Sequence, residues 1–305
     1  MKFAIVTDNS EQQSFYCKDN HFYSLSTNQD IGVVDELYTN AYFSLPLIMN
    51  GCYLNLKERT WRDEKFDIIL AAIECDPRYL DILKQVYPNA IIVGQMKETW
   101  NHQLHIRNYI IENTNGFVTP YSKINFFEEW NLKQPSQNFV IPSPVNDMHL
   151  RDKYYVTKEQ KIFDYSNFWA KGRASEHNKD ILKNNKLETV FFQSKDPIKF
   201  LHQWTPCRFM LNTDISKGYG LMSIQCACMD TIMIGGNSDS QHILFPDLTG
   251  TDIDVLSSKL NALAADKQLQ ERTLTFAKEM FERYYSFRSV KIAIENMYNK
   301  LKGNL

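Results

Sequence analysis

The sequence predicts an α/β chain made of two doubly wound units in tandem, and three observations lead there. Its 305 residues suit two domains of about 150 each, because a single hydrophobic core stops growing at roughly 250 to 300 residues. Short β-branched runs alternate with helical stretches, the pattern of βα units around a parallel sheet. Near the middle, Pro142-Ser143-Pro144-Val145-Asn146 fixes φ twice and disfavours helix before each proline, which stiffens the chain where a first unit would end.

In the first half, strands are predicted at Lys2 to Thr7, Phe66 to Ala72, Ala90 to Gly94, Gly116 to Thr119 and Asn138 to Ile141. In the second they fall at Lys161 to Tyr165, Glu188 to Phe192, Arg208 to Leu211 and Thr231 to Gly235. The expected domains are residues 1–150 and 151–305, both Rossmann-like, with an interdomain cleft and a boundary near 147 to 158. The C-terminal region is helical: Ile253, Leu256, Leu260 and Leu263 keep one apolar face, as do Val290, Ile294, Met297 and Leu301. These stripes are expected to cover the second sheet, the final helix being the one that could return across the hinge.

A composition 43% apolar and 23% charged is that of an ordinary globular protein. The run from Met1 to Val6 is too short for the core of a signal peptide. No window approaches the roughly 18 apolar residues of a membrane-spanning helix, so a cytoplasmic protein is expected. The six cysteines, at 17, 52, 75, 207, 226 and 228, show no zinc-ligand spacing and read as buried free thiols. Net charge is −2, but residues 1–149 carry 12 Lys+Arg against 18 Asp+Glu. A positive second half is therefore expected to face an anionic ligand.

The chemistry is expected at Lys217-Gly218-Tyr219-Gly220-Leu221, between the strand ending at Leu211 and the amphipathic stretch Met222 to Met229. A glycine pair between strand and helix lets backbone N–H groups approach a ligand, and the helix N-terminus adds partial positive charge suited to phosphate.

From Lys217 to Gly250 the sequence resembles the donor-site block of family-four GT-B glycosyltransferases: Glu-Gly-Phe-Gly-Leu-Pro, a second Glu eight positions after the first, a small-residue helix and a hydrophobic strand. Gly218, Tyr219, Gly220 and Leu221 match, Ala227 falls in the helix, and Ile232 to Ile234 form the strand. The family's two glutamates fall on Lys217 and Gln225. The resemblance implies that Gln225 holds the donor ribose, its amide both donating and accepting. Lys217 cannot accept a hydrogen bond, so the sugar contacts differ or Lys217 neutralises the diphosphate. Lys171-Gly172-Arg173, after the strand ending at Tyr165, resembles the family's basic turn. Its cations would stabilise the leaving nucleoside diphosphate electrostatically.

A narrower resemblance is to phage DNA glucosyltransferases, whose C-terminal order of Asp, hydrophobic strand, Asp and His is kept by Asp230, Met233, Asp239 and His242. Arg173 falls where those enzymes place a diphosphate-binding arginine. The opening 60 residues match little; Thr7-Asp8-Asn9-Ser10 lacks the glycine-rich first loop of many relatives.

For proton transfer, Glu98 and His102 are the candidates, because they follow the strand ending at Gly94 and strand ends of the first unit face the cleft. There is no Gly-x-Ser-x-Gly, Walker loop or His-Glu-x-x-His. Asp252-Ile253-Asp254 has the spacing of a metal-binding Asp-x-Asp but begins an amphipathic helix, where acids favour the N-terminus. The expected function is transfer of a sugar from a UDP- or GDP-type donor to a glycan, lipid-linked or small-molecule hydroxyl, without a metal cofactor. Two alternatives stand beside it: a phage-type DNA glycosyltransferase acting on hydroxymethylated bases, and a non-catalytic module that binds a nucleotide or glycan.

Overall fold

A computed structural model describes residues 1–8, 13–19, 21–31, 41–58, 64–95, 104–165, 173–193, 196–214 and 217–303. The chain divides into two compact units, Met1–Pro144 with Phe287–Leu305, and Val145–Ser286.

In the first unit the elements run β1 (Phe3–Thr7), β2 (Phe15–Lys18), β3 (His21–Ser24), α1 (Ala41–Met49), β4 (Cys52–Asn55), β5 (Ile68–Ala72), α2 (Arg78–Val86), β6 (Ile91–Gln95), α3 (Leu104–Asn113), β7 (Gly116–Thr119), α4 (Phe126–Glu129) and β8 (Asn138–Val140). They form one sheet in the order β3-β2-β4-β1-β5-β6-β7-β8. From β4 to β8 all pairs are parallel; β2 and β3 add an antiparallel hairpin beyond β4. β1, β5 and β6 are buried along their whole length, as strands covered on both faces must be.

The second unit runs α5 (Asp147–Tyr154), β9 (Glu159–Asp164), α6 (Arg173–Lys183), β10 (Glu188–Phe191), α7 (Pro197–Trp204), β11 (Cys207–Leu211), α8 (Leu221–Cys228), β12 (Ile232–Ile234), α9 (Asp239–Leu244), α10 (Ile253–Ala265) and α11 (Lys267–Tyr284). Its sheet is parallel throughout, in the order β10-β9-β11-β12. All nine expected strands form, with ends within two residues of expectation. The hairpin β2–β3 and strand β4 had no counterpart in the sequence reading. α10 begins under Asp252, whose carboxylate accepts from the Val255 N–H at 3.0 Å, so the Asp-x-Asp is a helix cap.

The final helix, α12 (Phe287–Lys302), makes the return that the sequence left open, although its stripe was expected to cover the second sheet. Val290, Ile294, Met297 and Leu301 join one buried cluster with Ile5, Leu70, Val93 and Leu45, so this stripe covers the first sheet and not the second. The charge asymmetry goes with it. Counted by units as folded, the first carries 16 Lys+Arg against 18 Asp+Glu and the second 18 against 18. The cysteines are also less uniform than expected, since Cys75 is exposed and Cys52 half-buried. Among the described residues no helix is long and apolar enough to cross a membrane.

Candidate donor and acceptor sites

Sheet order picks out one edge of the second unit. β9 lies between β10 and β11, so the connections leave it in opposite directions. The C-terminal edge between β9 and β11 is thus the switch point, where doubly wound sheets bind ligands. Leu211 stands opposite Asp164 there. The segment after β9 leads to α6 and the segment after β11 leads to α8, so both phosphate loops expected from sequence leave this edge. Lys171 lies outside the described residues, and of Arg173 the structure describes only that it opens α6.

The glycine loop is described from Lys217 onward. Gly220 caps α8 with φ 87° and ψ 49°, in the left-handed region, and a Cβ there would run into Ser238 and Ser240. Only glycine meets both demands. The Gly218 and Tyr219 carbonyls accept from the N–H groups of Asp239 and Ser240, at 3.0 and 3.1 Å. The Ser240 hydroxyl donates to the Gly220 carbonyl at 2.5 Å. A trans peptide points its N–H opposite to its C=O. Fastening these carbonyls to α9 therefore turns the intervening N–H groups the other way. Those of Gly220 and Leu221 meet no acceptor among the described residues, which leaves the α8 N-terminus open to an anion.

Lys217 at the head of the loop is exposed, while Tyr219 is buried with its ring 6.4 Å from that of Tyr285. Burial, with the carboxylate of Asp239 nearby, raises the Tyr285 phenol far above its ordinary range. Gln225, one turn into α8, is 4% exposed, and its amide meets no partner among the described residues.

The corresponding place in the first unit is built differently. Asp8, fully buried after β1, accepts from the N–H groups of Glu74, Cys75 and Asp76 at 2.7 to 2.8 Å. The approach to α2 is thereby filled by an internal carboxylate, and Asp76 in turn accepts from the Arg78 N–H at 3.0 Å. Among the described residues, the N–H groups of Arg78, Tyr79 and Leu80 that open α2 are all taken. At the C-terminal end of β6, Gln95 is 8% exposed and its Oε1 is buried without a hydrogen-bond partner among the described residues. Glu98 and His102 lie outside the described residues. The sequence alone assigns no role to Gln95 or Asp8. An amide at the end of an otherwise apolar strand was the available signal for the first, and an acid directly after β1 for the second.

No protein-family model matches the chain, and no curated protein matches it in sequence. Solved structures do. Anabaena Alr3699/HepE in complex with UDP-glucose superposes with a TM-score of 0.60 at 10% identity over 100% of both chains. The lipopolysaccharide outer core galactosyltransferase WaaB, in its apo form, gives 0.57 at 13% over 97% of this chain and 100% of the other. An alpha-glucosyltransferase in complex with UDP-glucose and DNA containing an abasic site gives 0.55 at 10% over 99% of both.

The chain has the GT-B fold.

Within that fold, the residues that follow the order of the phage DNA enzymes do not gather at one edge. Asp230 precedes β12, at the opposite end of the sheet from the glycine loop. The Arg151 guanidinium donates to its two oxygens at 3.1 and 3.3 Å, Tyr155 Oη donates at 3.1 Å, and Lys278 Nζ lies 2.8 Å away. Burial would raise its pKa, but these partners outweigh it and hold the carboxyl below the usual range. Asp230 is thus an internal anchor. Asp239 is fully buried at the start of α9, and His242 is exposed.

Proposed function

We propose that the chain transfers a sugar from a UDP- or GDP-type nucleotide sugar held by the second unit to a hydroxyl acceptor on the first. One observation carries this reading: at the switch point of the second unit the N–H groups of Gly220 and Leu221 are open, whereas the equivalent place in the first unit is filled by Asp8. A diphosphate fits the open terminus. Lys171, Arg173 and Lys217 supply cations for the charge that builds on the leaving diphosphate, and Gly218 to Leu221 supply backbone donors. Gln225 holds the ribose in the family-four manner. These groups neutralise the leaving group without a metal ion, and activity that survives a chelator is expected.

On the first unit, the acceptor hydroxyl gives up its proton to Glu98 or His102, with Gln95 Oε1 accepting a hydrogen bond from the acceptor. A glycan or small-molecule hydroxyl is the favoured acceptor. A hydroxymethylated base in DNA is the second reading. It is favoured by the likeness to the alpha-glucosyltransferase bound to DNA and by a first unit that is nearly neutral once α12 is counted with it. Duplex binding over a salt series separates the two, since a DNA acceptor requires affinity that falls steeply with salt.

The deciding experiment is the double variant Lys171→Ala with Arg173→Ala, assayed for nucleoside diphosphate release from UDP- and GDP-sugars. Release should vanish while the circular dichroism spectrum is kept. Full activity in the folded double variant excludes the assignment, and absence of release by wild type with every donor and acceptor favours the non-catalytic module.

A further inference from the structure

Three side chains, all but fully buried, meet at the C-terminal edge of the second sheet. Asn178, in the second turn of α6, donates from Nδ2 to Asp164 Oδ1 at 2.5 Å and to the Leu211 carbonyl at 3.2 Å. Its own Oδ1 accepts from the Thr213 hydroxyl at 2.7 Å. One amide therefore ties together the last residue of β9, the last residue of β11, and the strand's exit toward the glycine loop. From the other side, that exit is held by Gly235, whose φ is 85° and where a Cβ would stand 2.6 Å from the Asn212 carbonyl oxygen. The Asn212 N–H donates to the Ile234 carbonyl at 2.9 Å.

A buried, fully paired amide is more than packing requires. Leucine would fill the space, and a polar network in a low-dielectric interior is costly unless each member is paired. What the network adds is geometry. α6 opens at Arg173, five residues before Asn178, and the glycine loop opens at Lys217, four residues after Thr213. We propose that Asn178 is a positioning residue that sets the separation of the N-termini of α6 and α8, so that the helix start at Arg173 and the open N–H groups of Gly220 and Leu221 can grip one diphosphate together. Asn178 touches no ligand itself. This inference rests on the donor site assigned above.

The test uses the full chain with UDP as probe. Wild type should show a thermal-midpoint rise with UDP, or with GDP in its place if the donor is of that type, and the absence of a rise with both overturns the donor-site reading and the clamp with it. Given that rise, Asn178→Ala, checked for folding by circular dichroism, should raise the KM for the nucleotide sugar at least tenfold and lose most of the UDP-induced shift. Its acceptor KM should change less than twofold. Asn178→Asp places a second carboxylate against Asp164, and two such groups can keep the contact only by sharing a proton. Its donor KM should therefore be high at pH 8 and recover toward the wild-type value at pH 5.5, a dependence absent in Asn178→Ala. Unchanged donor KM and UDP shift in a folded Asn178→Ala variant, with wild type binding UDP, overturns the clamp alone. If Asn178→Ala does not fold, Asn178→Asp decides by the same pH series: a donor KM that tracks wild type at every pH overturns the proposal.

Discussion

The Ser240 hydroxyl donates to the carbonyl of Gly220 at 2.5 Å, binding the start of α9 to the residue that caps α8. With the Gly218 and Tyr219 carbonyls held by the Asp239 and Ser240 N–H groups, this contact turns the N–H groups of the loop away from α9. Gly220→Ala forces a side chain into the left-handed region, which costs about 1–2 kcal/mol, and also displaces Ser238 and Ser240. A loss of about 2 kcal/mol in urea unfolding is expected, with UDP affinity weakened at least tenfold by calorimetry. An alanine variant that binds UDP as tightly as wild type would remove the loop from the donor site.

Gln95 offers a case in which stability and activity part company. Its Oε1 is buried without a partner among the described residues, so Gln95→Leu removes an unpaired acceptor and should leave stability unchanged or raise it by about 1 kcal/mol. The acceptor KM should nevertheless rise about tenfold, a loss of roughly 1.4 kcal/mol of binding, with the donor KM unmoved. Steady-state kinetics in both substrates, beside urea melts, give the comparison. A leucine variant as active as wild type means that Gln95 does not meet the acceptor.

Asp8 should behave in the opposite way. Asp8→Asn keeps the shape of the side chain but replaces one acceptor oxygen and the charge behind all three N–H contacts. Hydrogen bonds to a charged group are worth about 1.5–3 kcal/mol, so a loss of about 2 kcal/mol is expected. The thermal shift on adding UDP should persist, because the carboxylate serves the first unit only. Loss of that shift would contradict the separation of roles.

Lys158 gives the molecule a pH signature. Its ammonium donates to the Thr205 carbonyl and, at 2.9 Å, to Thr231 Oγ1, and burial lowers its pKa from 10.5 to about 8. Between those values the unfolded chain holds a proton that the folded chain lacks, so this residue makes stability rise with pH across that window. Below about pH 8 its full penalty is present. Lys158→Met removes the effect. Relative to the variant, wild type should therefore gain up to about 3 kcal/mol between pH 7.5 and 10.5. Buried thiols remote from Lys158, such as Cys17, titrate alike in both chains and cancel. Parallel pH curves for the two proteins would show that the lysine is not desolvated.

The fold was largely legible because its strands are short, apolar and separated by turn chemistry, and Gly116–Thr119 formed with the bounds expected. The hairpin was missed because Phe15, Cys17 and Phe22 alternate with Tyr16 and Tyr23, aromatic on both faces, which hides a period of two. The stripe on α12 was read correctly as core, but periodicity shows that a helix has an apolar face and not which sheet that face covers. At the site, Gly220 was legible because its left-handed backbone leaves glycine little alternative. Gln95 and Asn178 were not. Their meaning lies in the absence or presence of partners from distant parts of the chain, which no local pattern encodes.

Because residues 287–302 complete the core of the first unit, the order in which the two units can mature is the reverse of the order in which they are synthesised. Residues 145–286 form an uninterrupted stretch and can fold once they emerge. The first sheet, made earlier, waits with Ile5, Leu70 and Val93 lacking one wall until Val290, Ile294, Met297 and Leu301 arrive. During that interval the nascent chain exposes apolar surface, which marks the first unit as the part of the protein most dependent on chaperones.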